Sequence, residues 1–135
     1  MLENNLIREK ENAVLDLLFY LKHPIKVGEL KERLRVKHST LNSVLKRLES
    51  QNLIKWEKYG PVTLTEQGLE NASHLTQHHY ILEEFFKDSL DISEKLAHSE
   101  ALRLAGAFSC EFIEAICNKL GIDPSILNEG FCSRN

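Results

Sequence analysis

The sequence has few of the features that mark secreted, membrane or disulfide-rich proteins. It contains only three cysteines, Cys110, Cys117 and Cys132, and no two of them form a Cys-x-x-Cys pair. An odd, widely spaced set predicts neither a disulfide framework nor a zinc site built from thiolates. No apolar run approaches the roughly 18–20 residues that a membrane span needs, and no signal peptide opens the chain. We therefore expect a cytoplasmic protein with no membrane partner.

Patterns of catalytic residues are missing as well. The six glycines form no phosphate-binding loop, and no nucleophile is paired with a base. The sequence therefore predicts no enzymatic activity. The 135 residues, 42% apolar and 27% charged, are enough for a soluble chain to fold without a disulfide or a metal.

The net charge of −3 is distributed unevenly along the chain. Residues 1–21 carry two basic and four acidic side chains, a net charge of −2. Residues 22–58 carry ten basic and four acidic side chains, net +6, whereas residues 59–135 carry five and twelve, net −7. A basic block inside an acidic chain indicates one unit that faces a polyanion and another with a different role.

Apolar periodicity predicts six helices and one hairpin. The helices are expected at residues 3–21, 28–35, 38–51, 66–87, 93–107 and 109–120. Alternation with period two in LIKWEK (53–58) and VTLT (62–65), on both sides of YGP (59–61), predicts the β-hairpin. Three helices followed by a hairpin is the order of a winged helix-turn-helix.

The predicted fold class is mainly α, with two domains and a tail. A winged helix-turn-helix DNA-binding domain with a small β-hairpin wing is expected over 1–68, an α-helical dimerisation domain over 69–121, and a C-terminal tail over 122–135. Thr65, Ser93 and Ser109 are predicted to cap helices, and Gly121 to end the last one. In that last helix the pattern places four apolar side chains inward: Phe112, Ile113, Ile116 and Leu120.

The stretch VGELKERLRVKHSTLNSVLKRLESQNLI (27–54) is similar to the helix-turn-helix core of bacterial winged-helix regulators. If Leu41, Leu45 and Leu48 face the core, the opposite face of the third helix carries short hydrogen-bonding side chains and cations, which suit the DNA major groove. Basic and aromatic side chains of the hairpin could reach the flanking phosphates. The predicted DNA-binding residues are His38, Ser39, Thr40, Asn42, Ser43, Lys46, Arg47, Lys55, Lys58 and Tyr59. The alternative is a winged-helix module whose polar face contacts a protein.

Three later segments carry a resemblance to one family: LTEQG (64–68), a helix bearing HHYILEEFF (78–86), and DISEKLAHSEALRLAGAFSCEFIEAI (91–116). With the winged-helix motif, they resemble the diphtheria-toxin-repressor and manganese-transport-regulator (DtxR/MntR) family over nearly the whole chain. Members are metal-activated bacterial repressors, with a winged helix followed by a helical metal-binding and dimerisation domain. The resemblance implies a transcriptional regulator, expected to repress, that binds a double-stranded DNA operator as a homodimer.

The family's main activating metal site is degenerate in this sequence. Its ligands from the fifth helix fall on Leu102, Ala105 and Gly106, none of which can bind a metal. The N-terminal helix, which supplies a ligand or two in the family, offers Ala13 and Asp16. A metal-independent winged-helix regulator, responding to another ligand or to none, is therefore an alternative.

A second, ancillary site of the toxin-repressor branch retains its residue types. In that branch the fourth helix supplies a histidine and a glutamate, and the start of the fifth helix supplies a second histidine. These three positions match His79, Glu83 and His98. His79 and Glu83 are four residues apart and so share one helix face. Imidazole and carboxylate suit Zn²⁺, Mn²⁺, Fe²⁺, Co²⁺ or Ni²⁺. His78 is expected on the opposite face, and Glu100 is a further candidate ligand.

The alternative interpretation of the ancillary residues needs no metal. Histidines at a domain seam are often only hydrogen-bonded, and a His–Glu pair four residues apart also arises by chance.

Cys110 and Cys117, seven residues apart on one helix, are expected to be small core or interface residues rather than a redox pair.

Overall fold

A computed structural model of the chain describes residues 2–57 and 60–123, with side chains from residue 7 onward. The elements in that part of the chain are α1 (Leu2–Leu21), β1 (Ile25–Lys26), α2 (Val27–Leu34), α3 (His38–Ser50), β2 (Ile54–Trp56), β3 (Pro61–Leu64), α4 (Glu66–Ser89), α5 (Glu94–Leu104) and α6 (Cys110–Leu120). The predicted mainly α fold with an N-terminal winged helix-turn-helix is confirmed. No helix among the described residues has both the length and the apolar character needed to cross a membrane.

The described residues form two compact units, which divide between Ala72 and Ser73 within α4. The predicted domain limits at residues 68 and 121 stay predictions. Of the predicted tail, residues 124–135 lie outside the described residues.

The wing of the first unit is a three-stranded antiparallel sheet in the order β1-β3-β2 rather than a simple hairpin. Val62 of β3 is paired with Ile25 of β1 on one side and with Trp56 of β2 on the other. Ile25 and Val62 are buried, so the added strand closes the edge of the sheet over the core. β1 was not predicted because two residues are too short to show a period.

Helices α1, α2 and α3 pack their apolar faces together in the core of this unit. The buried side chains are Val14, Leu15, Leu18, Leu30, Leu41, Val44, Leu45 and Leu48. The inward orientation predicted for the leucines of α3 is therefore confirmed.

The start of α4 is held against the backbone that leads into β2. Thr65 Oγ1 donates to the Asn52 carbonyl at 2.6 Å and accepts the Gly68 N–H at 2.9 Å, so the predicted cap is confirmed. The Thr65 N–H also donates to the Leu53 carbonyl at 3.0 Å. A Cβ on Gly68 would lie 1.8 Å from that carbonyl oxygen, which explains why glycine ends the LTEQG motif.

The second unit has its own apolar core, built from α4, α5 and α6. Its buried residues are Ile81, Leu82, Ala101, Ile113, Ile116 and Cys117. Ser93 and Ser109 accept the backbone N–H groups of Leu96 and Phe112 at 3.1 Å, as predicted for N-caps. Gly121 ends α6 with φ of 74°, a conformation that favours glycine.

Phe112 was predicted to face inward, and this prediction is wrong. The residue is 50% exposed, and its ring stacks on Phe108 with centroids 5.1 Å apart. Ile113, Ile116 and Cys117 already form the three- and four-residue spacing that fills the inner face of α6. Phe112 lies about 100° around the helix from Ile113, which turns it away from the core.

Candidate metal centres and DNA-binding face

The predicted DNA-binding face of α3 is directed away from the core. Its outer side chains are exposed at His38, Ser39, Ser43, Lys46 and Arg47 and half-buried at Thr40 and Asn42. Lys55 is exposed on β2, whereas Lys58 and Tyr59 lie outside the described residues. The exposed residues are polar or cationic and accessible to a nucleic acid, and their role in binding it stays a prediction.

Arg47 also has a structural contact that the sequence did not reveal. Its Nε donates to Oε1 of Glu11 at 3.0 Å, and Glu11 is only 7% exposed. The pair joins α1 to α3, and its two residues are 36 positions apart in the sequence. Helical periodicity relates only residues a few positions apart, so it could not predict this contact. Arg47 therefore holds a buried carboxylate as well as lying on the outer face of α3.

His79, Glu83 and His98, which we call the triad, come together in the second unit, and their role as metal ligands stays a prediction. Glu83 Oε1 lies 3.2 Å from His79 Nε2 and 2.6 Å from His98 Nδ1, and the two imidazole nitrogens are 3.2 Å apart. α4 supplies the first two side chains and α5 the third. Three ligand atoms thus form a triangle between two helices.

The triangle offers three lone pairs to a divalent ion. Each imidazole nitrogen carries at most one hydrogen, so two hydrogens at most serve three contacts, whereas a cation would engage all three lone pairs. Ligands about 2.1 Å from an ion are about 3.0 Å apart at right angles and about 3.4 Å apart at the tetrahedral angle. The two 3.2 Å separations lie in this range, whereas the 2.6 Å contact between Glu83 and His98 is a hydrogen-bond distance that would have to lengthen when an ion binds. The His98 side chain is 55% exposed, which gives water access to complete the coordination shell.

The other candidate residues of the second unit do not join the triad. Glu100 forms an ion pair with Arg103 of the same helix. Leu102 and Ala105 are buried, and Gly106 carries no ligand. On α1, Ala13 and Asp16 are half-buried, and their proposed correspondence to the degenerate primary site stays a prediction.

A second cluster of metal-ligating side chains, which the sequence analysis missed, lies in the same unit. It consists of His74, His78 and Cys110, whose ligand atoms all lie within 4.8 Å of one another. Cys110, expected in the core or an interface, is half-buried, and its Sγ lies 3.1 Å from His74 Nε2. Cys117, by contrast, is buried in the core, and burial raises the pKa of its thiol. In the sequence, the four-residue spacing of His74 and His78 was the signal that could have indicated this cluster.

Burial controls the charge of His74 and His78. Desolvation lowers the pKa of His74 to about 4, with a further contribution from the neighbouring His78. Desolvation also lowers the pKa of His78, although the hydrogen bond to the Ala105 carbonyl acts in the opposite direction. Both rings are therefore neutral near pH 7, the form in which imidazole binds metals.

Comparison with known proteins identifies relatives for both halves of the chain. Residues 65–124 match the family model described as the iron dependent repressor, metal binding and dimerisation domain. An uncharacterized HTH-type transcriptional regulator of Methanocaldococcus jannaschii is 34% identical over 93 residues, which are 69% of this chain and 74% of that protein. The HTH-type transcriptional regulator MntR of Lysinibacillus sphaericus is 26% identical over 116 residues, 84% of this chain and 83% of the relative.

Solved structures with the same fold are also found. The manganese regulator SloR superposes with a TM-score of 0.72 at 23% identity, covering 84% of this chain and 54% of that one. A manganese-dependent transcriptional repressor in complex with manganese gives a TM-score of 0.66 at 29% identity, covering 84% of this chain and 53% of that one. The chain thus spans about half the length of these two structures.

Proposed function

This chain belongs to the diphtheria-toxin-repressor and MntR family of helix-turn-helix regulators, and we propose that it is a metal-dependent transcriptional repressor with the triad as its metal site. The observation that carries the proposal is the convergence of His79 Nε2, Glu83 Oε1 and His98 Nδ1 within 3.2 Å of one another. A divalent ion bound at this point would engage all three atoms at once.

The DNA-binding half of the proposal rests on the outer face of α3 and on charge. Residues 22–58 carry a net charge of +6, and exposed Lys46 and Lys55 lie on α3 and β2 respectively. Cations on the recognition helix and wing neutralise phosphates, while short polar side chains such as Ser39 and Ser43 can contact base edges. The partner is a double-stranded DNA operator, which a homodimer would read as two half-sites.

The metal-dependent half rests on the position of the triad along α4. This helix begins at Glu66, next to the Thr65 and Gly68 contacts that fix its first turn to the wing, and it carries two triad ligands further along. When bound, a divalent ion would supply a rigid connection between α4 and α5. Such a ligand raises DNA affinity only as far as it binds more tightly to the DNA-competent conformation.

Calorimetry of chelator-stripped protein tests the metal site. We expect Mn²⁺ to bind with one equivalent per chain, and this heat to be lost when His79→Ala and His98→Ala are combined. His23→Ala is the matched control, because His23 is an exposed histidine of the first unit whose ring contacts the adjacent Pro24 carbonyl, far along the chain from the triad. Equal Mn²⁺ binding by the double variant and the wild type would remove the triad from the proposal.

A further inference from the structure

The cluster of His74, His78 and Cys110 has the organisation of a metal site distinct from the triad. His74 and His78 are four residues apart on α4, and Cys110 is the first residue of α6. His78 and His79 are adjacent in sequence and so point about 100° apart around α4. The two groups of ligands therefore occupy different faces of one helix, and they share no residue.

The His78 ring is fixed in the tautomer that a metal ligand requires. A carbonyl oxygen only accepts, so the 3.2 Å contact to Ala105 makes His78 Nδ1 the N–H donor. Nε2 then carries the lone pair. Metal-binding histidines characteristically donate their other ring N–H to a carbonyl or carboxylate in this way. His78 is 0% exposed, so packing holds the ring in position as well.

The remaining two side chains complete a compact donor set around that ring. The His74 and His78 ring centroids are 3.9 Å apart, and His74 Nε2 lies 3.1 Å from Cys110 Sγ. A nitrogen and a sulfur bound to one tetrahedral zinc are about 3.6 Å apart, so binding would require these atoms to separate by only about half an ångström. The ligand atoms of all three side chains lie within 4.8 Å of one another, so a single ion could engage the set after small movements of these side chains.

We propose that His74, His78 and Cys110 form a second metal site that binds Zn²⁺ or Co²⁺ in preference to Mn²⁺. One thiolate and two imidazoles are softer donors than the imidazoles and carboxylate of the triad, and thiolates select zinc and cobalt over manganese. Three protein ligands leave a fourth tetrahedral position for water or another ligand. The ion fastens α6 to α4 and does not depend on metal binding by the triad.

Cobalt spectroscopy of the full chain tests the second site directly. Because only a thiolate gives an intense sulfur-to-cobalt charge-transfer band, Co²⁺ added to chelator-stripped, reduced protein reports on the cysteine ligand. We expect the band to saturate at one equivalent when His79→Ala and His98→Ala remove the triad as a competing site for Co²⁺. In the wild type it should disappear on adding Zn²⁺ and persist in excess Mn²⁺. Cys110→Ser and His74→Ala should abolish or strongly weaken it, while Cys132→Ser, which keeps Cys110, retains it.

Two further comparisons keep the result unambiguous. The variant with His79→Ala and His98→Ala should retain the cobalt band, so that failure of the triad and failure of this site are distinguishable. Zn²⁺ at about a hundred times its Kd should slow alkylation of Cys110 on the order of a hundredfold, because only the metal-free fraction of the protein reacts. Peptide mass mapping distinguishes alkylation of Cys110 from alkylation of the other cysteines. A wild-type protein without the band, or a band that survives in Cys110→Ser, overturns the proposal.

Discussion

Replacing Gly68 with alanine should disrupt the junction between the wing and α4. The new Cβ would lie 1.8 Å from the Leu53 carbonyl oxygen, 2.7 Å from its carbonyl carbon and 3.1 Å from its Cα. Carbon and oxygen in contact are normally about 3.3 Å apart or more, so the two backbones must separate by about 1.5 Å. All three atoms belong to backbone, and no flexible side chain can move to relieve the clash.

The expected loss of stability follows from these contacts. Overpacking costs about 1–3 kcal/mol, and separation of the backbones weakens the Thr65 hydrogen bonds to Asn52 and Leu53, each contributing about 1 kcal/mol. Alanine recovers about 1 kcal/mol through its higher helix propensity. We therefore expect Gly68→Ala to lower the free energy of unfolding by about 2–4 kcal/mol, a large share of the 5–15 kcal/mol typical of a domain.

Urea unfolding followed by tryptophan fluorescence is the assay, at one fixed protein concentration. The single tryptophan, Trp56, lies in β2 of the affected unit and reports on it directly. Gly28→Ala is the matched control, because Gly28 lies in α2 and a methyl group added there would meet no heavy atom within 4 Å. This control should be neutral or stabilise the protein by up to about 1 kcal/mol. A Gly68→Ala protein within about 0.5 kcal/mol of the wild type would refute the reasoning.

Three other predictions concern charge and metal. Combining Lys46→Ala with Lys55→Ala should weaken binding to duplex DNA, measured by fluorescence anisotropy, and reduce the slope of log affinity against log salt by about 2. Lys95→Ala, in the acidic half of the chain, is the control and should change neither the affinity nor the slope. Arg47→Ala should lower the free energy of unfolding by about 1–2 kcal/mol in urea titrations, because it leaves the Glu11 carboxylate unpaired. The loss is smaller than for a fully buried pair because the arginine is half exposed. Adding Glu11→Gln should restore part of it. Mn²⁺ at about a hundred times its Kd should stabilise the protein by about 2.7 kcal/mol in thermal unfolding, and an equal midpoint with Mn²⁺ and with chelator would contradict metal binding to the folded state.

The sequence predicted the helices well because their signals are local. The leucine spacing of α3 and the serine caps at Ser93 and Ser109 act within a few residues, and all appear in the structure. β1 was missed because its stability comes from pairing with β3, about 36 residues away, and not from its own two residues. Phe112 was misplaced because an apolar residue beside an apolar stripe looks the same in sequence whether or not it reaches the core.

The candidate sites depended more strongly on contacts between distant residues. The triad could be assembled only because the family resemblance joined His98 to the local pair of His79 and Glu83. Cys110 has no such guide: it lies 36 residues from His74, and only the packing of α6 against α4 brings the two together. The same applies to Glu11 and Arg47, whose contact requires α1 to pack on α3.

The most direct test of metal-dependent repression is the DNA affinity of the protein with and without Mn²⁺. A duplex selected from a random pool in the presence of Mn²⁺ serves as the operator, and anisotropy titrations at one fixed salt concentration give Kd with the ion and with chelator. The account predicts that Mn²⁺ lowers Kd by about 5–150-fold, the usual range of allosteric coupling, and that the His79→Ala/His98→Ala protein shows no such change. Equal affinities of the wild-type protein in Mn²⁺ and in chelator would contradict the account.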